Sequence, residues 1–199
     1  MRILLVGGTG TVGKTIAAAL KSRHELLIAG RSAGDLRVDL TDEASVRAMY
    51  AKAGKLDAVI AATGHTHFGP LTAMTPAQFK TGLLDKVLGQ VSLVLLGIPH
   101  VADGGSFTLT SGILNRDHIR QGANAAAVDS AIDGFVAAAA IEMPRGIRIN
   151  AVSPGLLSDA AEAYDGFFPG HAPVSSARVG LAYVKSVEGA LTGKVFCVD

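Results

Sequence analysis

The stretch Ile3-Leu4-Leu5-Val6-Gly7-Gly8-Thr9-Gly10-Thr11-Val12-Gly13 decides the fold. Ile3 to Val6 are branched and apolar, as in a strand buried on both faces. Glycines follow at once, at positions 7, 8, 10 and 13, and Lys14 to Leu20 then reads as a helix with Ile16, Ala17, Ala19 and Leu20 available for packing. Strand, glycine turn, helix is the context in which such glycines signal dinucleotide binding. Without a Cβ the backbone can turn tightly and approach a pyrophosphate. The following helix aims its free N–H groups and positive dipole end at the phosphates. The spacing is Gly7-x-x-Gly10-x-x-Gly13 rather than G-x-G-x-x-G, so a βα turn serving packing alone is the alternative. On the binding reading, Gly7, Gly10, Val12 and Gly13 form the cradle, and Thr9 and Thr11 either add hydroxyl contacts to phosphate or cap the helix.

Strand and helix signals alternate outward from this turn. Glu25 to Ala29 reads as a second strand, ending at Gly30-Arg31-Ser32, and Leu36 to Leu40 as a short third strand carrying Asp39. Thr41 or Asp42 can cap a helix to about Ala53. Leu56 to Ala61 reads as a fourth strand, followed by Ala62-Thr63-Gly64-His65-Thr66-His67. Thr75-Pro76 opens a long helix to about Leu96, since proline fits a first helical turn. Gly105 to Thr110 is the expected fifth strand, 122–142 a helix ended by Pro144, and Ile147 to Val152 a sixth strand. Leu157 to Pro173 is irregular; Ser175 or Ser176 caps a last helix to Val187, and Gly193 to Val198 closes the series. This alternation predicts an α/β fold, a doubly wound parallel sheet of about seven strands between two helical layers, as one domain over residues 1–199. Ligands in that architecture sit at the C-terminal edge of the strands, so the loops after residues 6, 29, 61, 110 and 152 are expected to line one cleft.

The totals restrict the function class. The 199 residues suffice for one full core. A net charge of +1 gives no electrostatic footprint for nucleic acid. Cys197 is the single cysteine, which suits the cytoplasm. Met1-Arg2 leads straight into the first strand, leaving no room for a leader. The longest apolar run, Val91 to Leu96, is too short to span a bilayer, so no membrane association is expected.

Several separate segments resemble the short-chain dehydrogenase/reductase family, over nearly the whole chain. Ala61-Ala62-Thr63-Gly64 stands where the family has Asn-Asn-Ala-Gly, and Thr108-Leu109-Thr110-Ser111 resembles the strand that delivers its catalytic serine. Ser130-Ala131-Ile132-Asp133-Gly134-Phe135 matches the segment after its catalytic lysine. Gly146-Ile147-Arg148-Ile149-Asn150-Ala151-Val152-Ser153-Pro154-Gly155 is similar to its sixth strand and Pro-Gly turn, and Thr192-Gly193-Lys194-Val195 to its last strand. The resemblance implies a Rossmann fold, a nicotinamide cofactor and a homodimer or homotetramer. It also exposes a departure. The family's tyrosine, with a lysine four residues on, moves a proton near neutral pH; here Ala125 and Asp129 fall in those positions. The family's relay asparagine falls near Lys86. Only Ser111 remains of that set.

Arg31 and Ser32, just past the second strand, suit a 2′-phosphate better than free ribose hydroxyls, which favours NADP(H) with NAD(H) as the alternative. Asp39 resembles an adenine-contacting aspartate. Ala61 to Gly64, Asp129, Pro154 and Gly155 complete the expected cofactor contacts, with Asp129 accepting from ribose hydroxyls. Ser111 is the expected hydrogen-bond donor to a substrate oxygen; His65 or Tyr164 is the candidate proton donor. Tyr164 otherwise lines the pocket with Phe167 and Phe168. His65 and His67 lack a neighbouring carboxylate or cysteine in sequence, and no metal site is expected. Lys86, flanked by Leu83, Leu84, Val87 and Leu88, reads as a stem lying on apolar neighbours with its ammonium in water, or else as a buried proton relay. The expected function is NADP(H)-dependent oxidoreduction of a small carbonyl compound. A cofactor-binding sensor or assembly partner is the alternative.

Overall fold

The computed structural model describes residues 1–199. Seven parallel strands form one sheet in the order β3-β2-β1-β4-β5-β6-β7. They are β1 (Arg2–Val6), β2 (Glu25–Gly30), β3 (Leu36–Arg37), β4 (Leu56–Ala61), β5 (Val101–Thr110), β6 (Arg148–Pro154) and β7 (Val195–Val198). The order reverses between β1 and β4, and that switch point opens a crevice at the C-terminal edge. This is the three-layer Rossmann arrangement that the alternation predicts.

The first strand shows why its sequence is uniformly apolar. Leu4 and Val6 enter the core on one face, with Tyr50, Val59, Phe107 and Val136. Ile3 and Leu5 enter the core on the other, with Ile16, Leu20, Tyr183 and Val187. Helices α2 (Glu43–Ala53), α4 (Gly89–Gly97) and α5 (Ala123–Glu142) cover the first face, with α3 (Pro76–Gly82) packed against α5; α1 (Thr11–Leu20) and α6 (Ser176–Glu188) cover the second. Of the alternative caps, Asp42 takes α2, accepting from the Ala44 N–H at 2.9 Å, and Ser175 takes α6. Thr75 and Gln78 form a reciprocal capping box at α3.

Three elements differ from expectation. The third strand pairs only through Leu36 and Arg37, because Asp39 turns the chain away, accepting from the Thr41 N–H and hydroxyl at 3.0 and 2.7 Å. The fifth strand begins earlier, at Val101, and tolerates Gly104 at φ +71° through a register shift opposite Leu56 and Ala58. The long helix is not uniformly α. A π-helical stretch, Leu83–Leu88, joins α3 to α4, a rare geometry that recurs at functional sites.

By length and composition, Pro76–His100 and Ala123–Glu142 are each apolar enough to cross a membrane. Both pack on the sheet, and their outward faces expose Leu84, Leu88, Leu95 and Ile141. Val94 on α4 belongs to the core.

Candidate active site

A cleft of about 680 Å³ lies over the switch point. Its floor is the glycine turn. Gly7 sits at φ +82°, where a Cβ would stand 2.3 Å from the Ala62 carbonyl oxygen; at Gly13 a Cβ would stand 2.1 Å from the Gly7 carbonyl oxygen. No side chain fits either place, so α1 starts pressed against β1 and β4. The first intrahelical bond runs from the Lys14 N–H to the Gly10 carbonyl at 2.9 Å, and no side chain caps the N–H groups ahead of it. Side chains cap α2, α3 and α6. The capping role for Thr9 and Thr11 therefore does not hold; both line the open cleft. The start of α1 thus keeps its donors and positive dipole end free, which fits a bound pyrophosphate.

Gly7, Thr9, Gly10, Thr11, Val12, Arg31, Ser32, Ala62, Thr63, Gly64, Asp129, Pro154 and Gly155 line this cleft, as do Ser111, His65 and Tyr164. Gly13, Asp39 and Ala61 do not. Gly13 and Ala61 stand behind the wall, Gly13 packed on the Gly7 backbone and Ala61 fully buried. Asp39 meets the cleft only through Arg31, whose guanidinium lies 3.2 Å from it and 3.9 Å from Asp85. The bonds from Thr41, with Arg31 adding to them, hold the Asp39 carboxyl below its ordinary value.

The loop after β4 is held from three sides. Asp85 accepts from the His65 N–H at 2.8 Å and meets its ring Nδ1 at 2.6 Å. Buried Asn124 accepts from the His67 N–H at 2.8 Å and donates to the Phe79 carbonyl. Buried Gln90 pairs with both backbone groups of Thr110 and donates to the Thr63 carbonyl, locking this loop to the end of β5.

The centre of the cleft holds the main correction to the sequence reading. Lys86 does not extend to water. Its Nζ lies 2.5 Å from Asp129 Oδ1 and 3.1 Å from the Ser111 carbonyl oxygen. The side chains of Lys86 and Asp129 are only 12% and 4% exposed. Asp129 faces the cleft with one oxygen taken by Lys86 and the other without a hydrogen-bond partner; the chain at residue 112 lies so close that a Cβ there would stand 2.7 Å from that second oxygen. Lys86 thus reaches across the cleft from the π-helical stretch to pair with the carboxylate on α5.

The Ser111 hydroxyl is buried and has no completed hydrogen bond in the protein. Asp133, one turn beyond Asp129, approaches it and accepts from the Asn115 amide. Burial pushes the Asp133 carboxyl above its ordinary value; the Ser111 hydroxyl pulls it back, and the charge on Asp129 raises it again. Ala125 occupies the tyrosine position, buried beside Ile113 and Leu114. The outer cleft is aromatic: Tyr164 meets Phe68 and Phe168 edge-on, with ring centroids 6.1 and 5.9 Å apart. Phe167, expected beside them in the pocket, touches Phe68 but does not line the cleft.

Comparison with known proteins agrees with this geometry. Residues 8–180 match the family model described as enoyl-(acyl carrier protein) reductase. The crystal structure of the protein lin1944 from Listeria innocua is 47% identical, with TM-score 0.99 and complete coverage of both chains. A small-chain dehydrogenase in complex with NADPH is 28% identical, with TM-score 0.88 over 100% of this chain and 96% of that one. A short-chain type dehydrogenase/reductase from Mycobacterium ulcerans, 22% identical, shares the fold at TM-score 0.87 over 100% of this chain and 88% of that one. No curated protein matches. The chain belongs to the short-chain dehydrogenase/reductase family, a family of nicotinamide-dependent oxidoreductases.

Proposed function

We propose that this protein is an NADP(H)-dependent reductase of a small carbonyl compound. The observation that carries the proposal is the uncapped, glycine-walled start of α1 at the switch point of the sheet. Arg31, beyond β2, supports the 2′-phosphorylated cofactor, because its guanidinium is exposed and can chelate a phosphate in place of Asp39. A relative crystallised with NADPH supports the same choice.

The cofactor, when bound, supplies the hydride; the chain supplies orientation and a proton. Ser111 is the residue placed to donate a hydrogen bond to the substrate oxygen, since its buried hydroxyl is otherwise unsatisfied. The proton comes from Tyr164, His65 or water, Tyr164 lining the aromatic end and the imidazole of His65 lying exposed beside Asp85. Without a tyrosine at position 125, a fixed acid is missing there, which costs a reaction about 10²–10⁴ in rate. That same absence favours a second reading, a cofactor-binding protein without turnover.

NADPH and NADH titrations, followed by oxidation of NADPH against ketones and quinones, separate the readings. The proposal expects tighter binding of NADPH than NADH, and a preference reduced about tenfold or more in Arg31→Ala. Equal binding of both nucleotides by the unaltered chain removes the NADP(H) assignment. Tight NADPH binding with no acceptor reduced selects the second reading. We further propose a homodimer or homotetramer in the cytoplasm, joined through the outward leucines Leu84, Leu88 and Leu95 of the π-helical stretch and α4 and the small-residue face of α5, where Gly134 faces open space.

A further inference from the structure

We infer that Lys86 is the ligand-facing cation of the cleft, gripping the half of the nucleotide that lies beyond the pyrophosphate, while Asp129 holds Lys86 in place. The inference rests on the nicotinamide-nucleotide reading above and names a residue that reading does not use.

The topology fixes which half is meant. The glycine turn sits under the middle of the cleft, and Arg31 and Ser32 mark its β2 end. A dinucleotide anchored at the turn with its adenosine toward β2 must send its other nucleoside across the switch point, toward the ends of β4 and β5. Lys86, Ser111 and Asp129 stand there. Arg31 and Lys86 are the only arginine and lysine lining the cleft, so Lys86 is the sole such cation in that half.

The ammonium is neither idle nor exhausted. A lysine has three N–H donors. The protein engages two, at Asp129 Oδ1 and the Ser111 carbonyl. The third remains for a ligand oxygen, and the ribose hydroxyls of a nicotinamide nucleoside present acceptors of that kind. Asp129 Oδ1 is the acceptor that fixes the direction of the ammonium.

The position is built for this side chain. Gly64 sits at φ +122°, and a Cβ there would stand 2.5 Å from Lys86 Cγ and 2.6 Å from its Cβ. The loop after β4 therefore lies directly on the lysine stem and steers it inward. The π-helical stretch shifts the helix register at this turn, which carries residue 86 toward the sheet end while Asp85 turns to the loop at His65. Burying two opposite charges this way confers little net stability compared with an apolar pair. A binding role accounts for what stability does not.

The test compares two ligands on one set of proteins. NADPH contains both nucleosides, whereas adenosine 2′,5′-bisphosphate contains only the half assigned to Arg31. Lys86→Met leaves a carboxylate buried, so the double variant Lys86→Met/Asp129→Leu accompanies it as the form that removes both charges. The inference expects both variants to lose about tenfold or more in NADPH affinity and to bind adenosine 2′,5′-bisphosphate within twofold of the unaltered chain. Unchanged NADPH affinity in the double variant overturns it, as does equal loss of both ligands, which would mark a structural defect. If the unaltered chain binds adenosine 2′,5′-bisphosphate but not NADPH, Lys86 holds nothing and the inference falls. If it binds neither, the cofactor reading itself has failed.

Discussion

Removing one partner of the Lys86–Asp129 pair should destabilise the protein far more than removing both. The two groups are 2.5 Å apart, with side chains 12% and 4% exposed. Lys86→Met keeps the volume of the stem but withdraws the ammonium. Asp129 has no other hydrogen-bond donor at either oxygen, so the carboxylate is left buried and unpaired. The Ser111 carbonyl loses a donor at the same time. Breaking a buried pair on one side costs about 3–5 kcal/mol. In a chain of this length each kcal/mol moves Tm by about 2–4 °C, so the expected fall is about 10 °C. Lys86→Met/Asp129→Leu removes the stranded charge and should recover most of it, to within about 1 kcal/mol of the unaltered chain. Thermal unfolding without ligand, followed by circular dichroism, measures both. A single variant as stable as the parent, or a double variant no better than the single, would show that the pair is neither buried nor coupled as described.

Other substitutions probe the rest of the site. Gly13→Ala places a Cβ 2.1 Å from the Gly7 carbonyl and 2.6 Å from Gly8 Cα, all backbone. Either α1 or the turn must move, at about 1–3 kcal/mol, and NADPH affinity by calorimetry should fall about tenfold or more; a change within twofold would mean the turn does not hold phosphate. Burial raises the folded pKa of Asp133, so its contribution to stability is full below the unfolded value and is lost as pH rises through the folded one. Asp133→Asn, which keeps an acceptor for Asn115, should therefore gain more stability over the parent at pH 7 than at pH 3.5; an equal effect at both would exclude the burial argument. Leu88→Asp combined with Ile141→Asp charges the outward apolar face and should convert a dimer or tetramer to monomer in sedimentation velocity, while a monomeric parent would contradict the assembly proposal.

Much of the fold was legible because burial on both faces leaves an unmistakable record. Ile3–Val6 and Ala58–Ala61 alternate between two cores, so every residue in them is apolar, and Gly7 and Gly13 after the first strand have no steric alternative. Capping positions at Asp42, Thr75 and Ser175 were readable from local hydrogen-bond chemistry. The edge strand at Leu36 was overextended, because Asp39 bonds to its own neighbours and the pattern of apolar residues does not record that. The centre of the site was least legible. The apolar neighbours of Lys86 suggest a stem lying on the surface, whereas its true partner is 43 residues away on another helix. Nothing in local periodicity marks a π-helical turn. The usable signal was paired: a carboxylate where a cation belongs, and a lysine where a neutral amide belongs. The two departures fall on residues that pair with each other across the cleft.

The account depends on the first turn and the start of α1 gripping a pyrophosphate at the sheet edge. Calorimetric titration of the unaltered chain with NADPH tests this most directly. The predicted result is saturable binding at one site per chain, tighter than for NADH. No heat and no saturation with either nucleotide would contradict it.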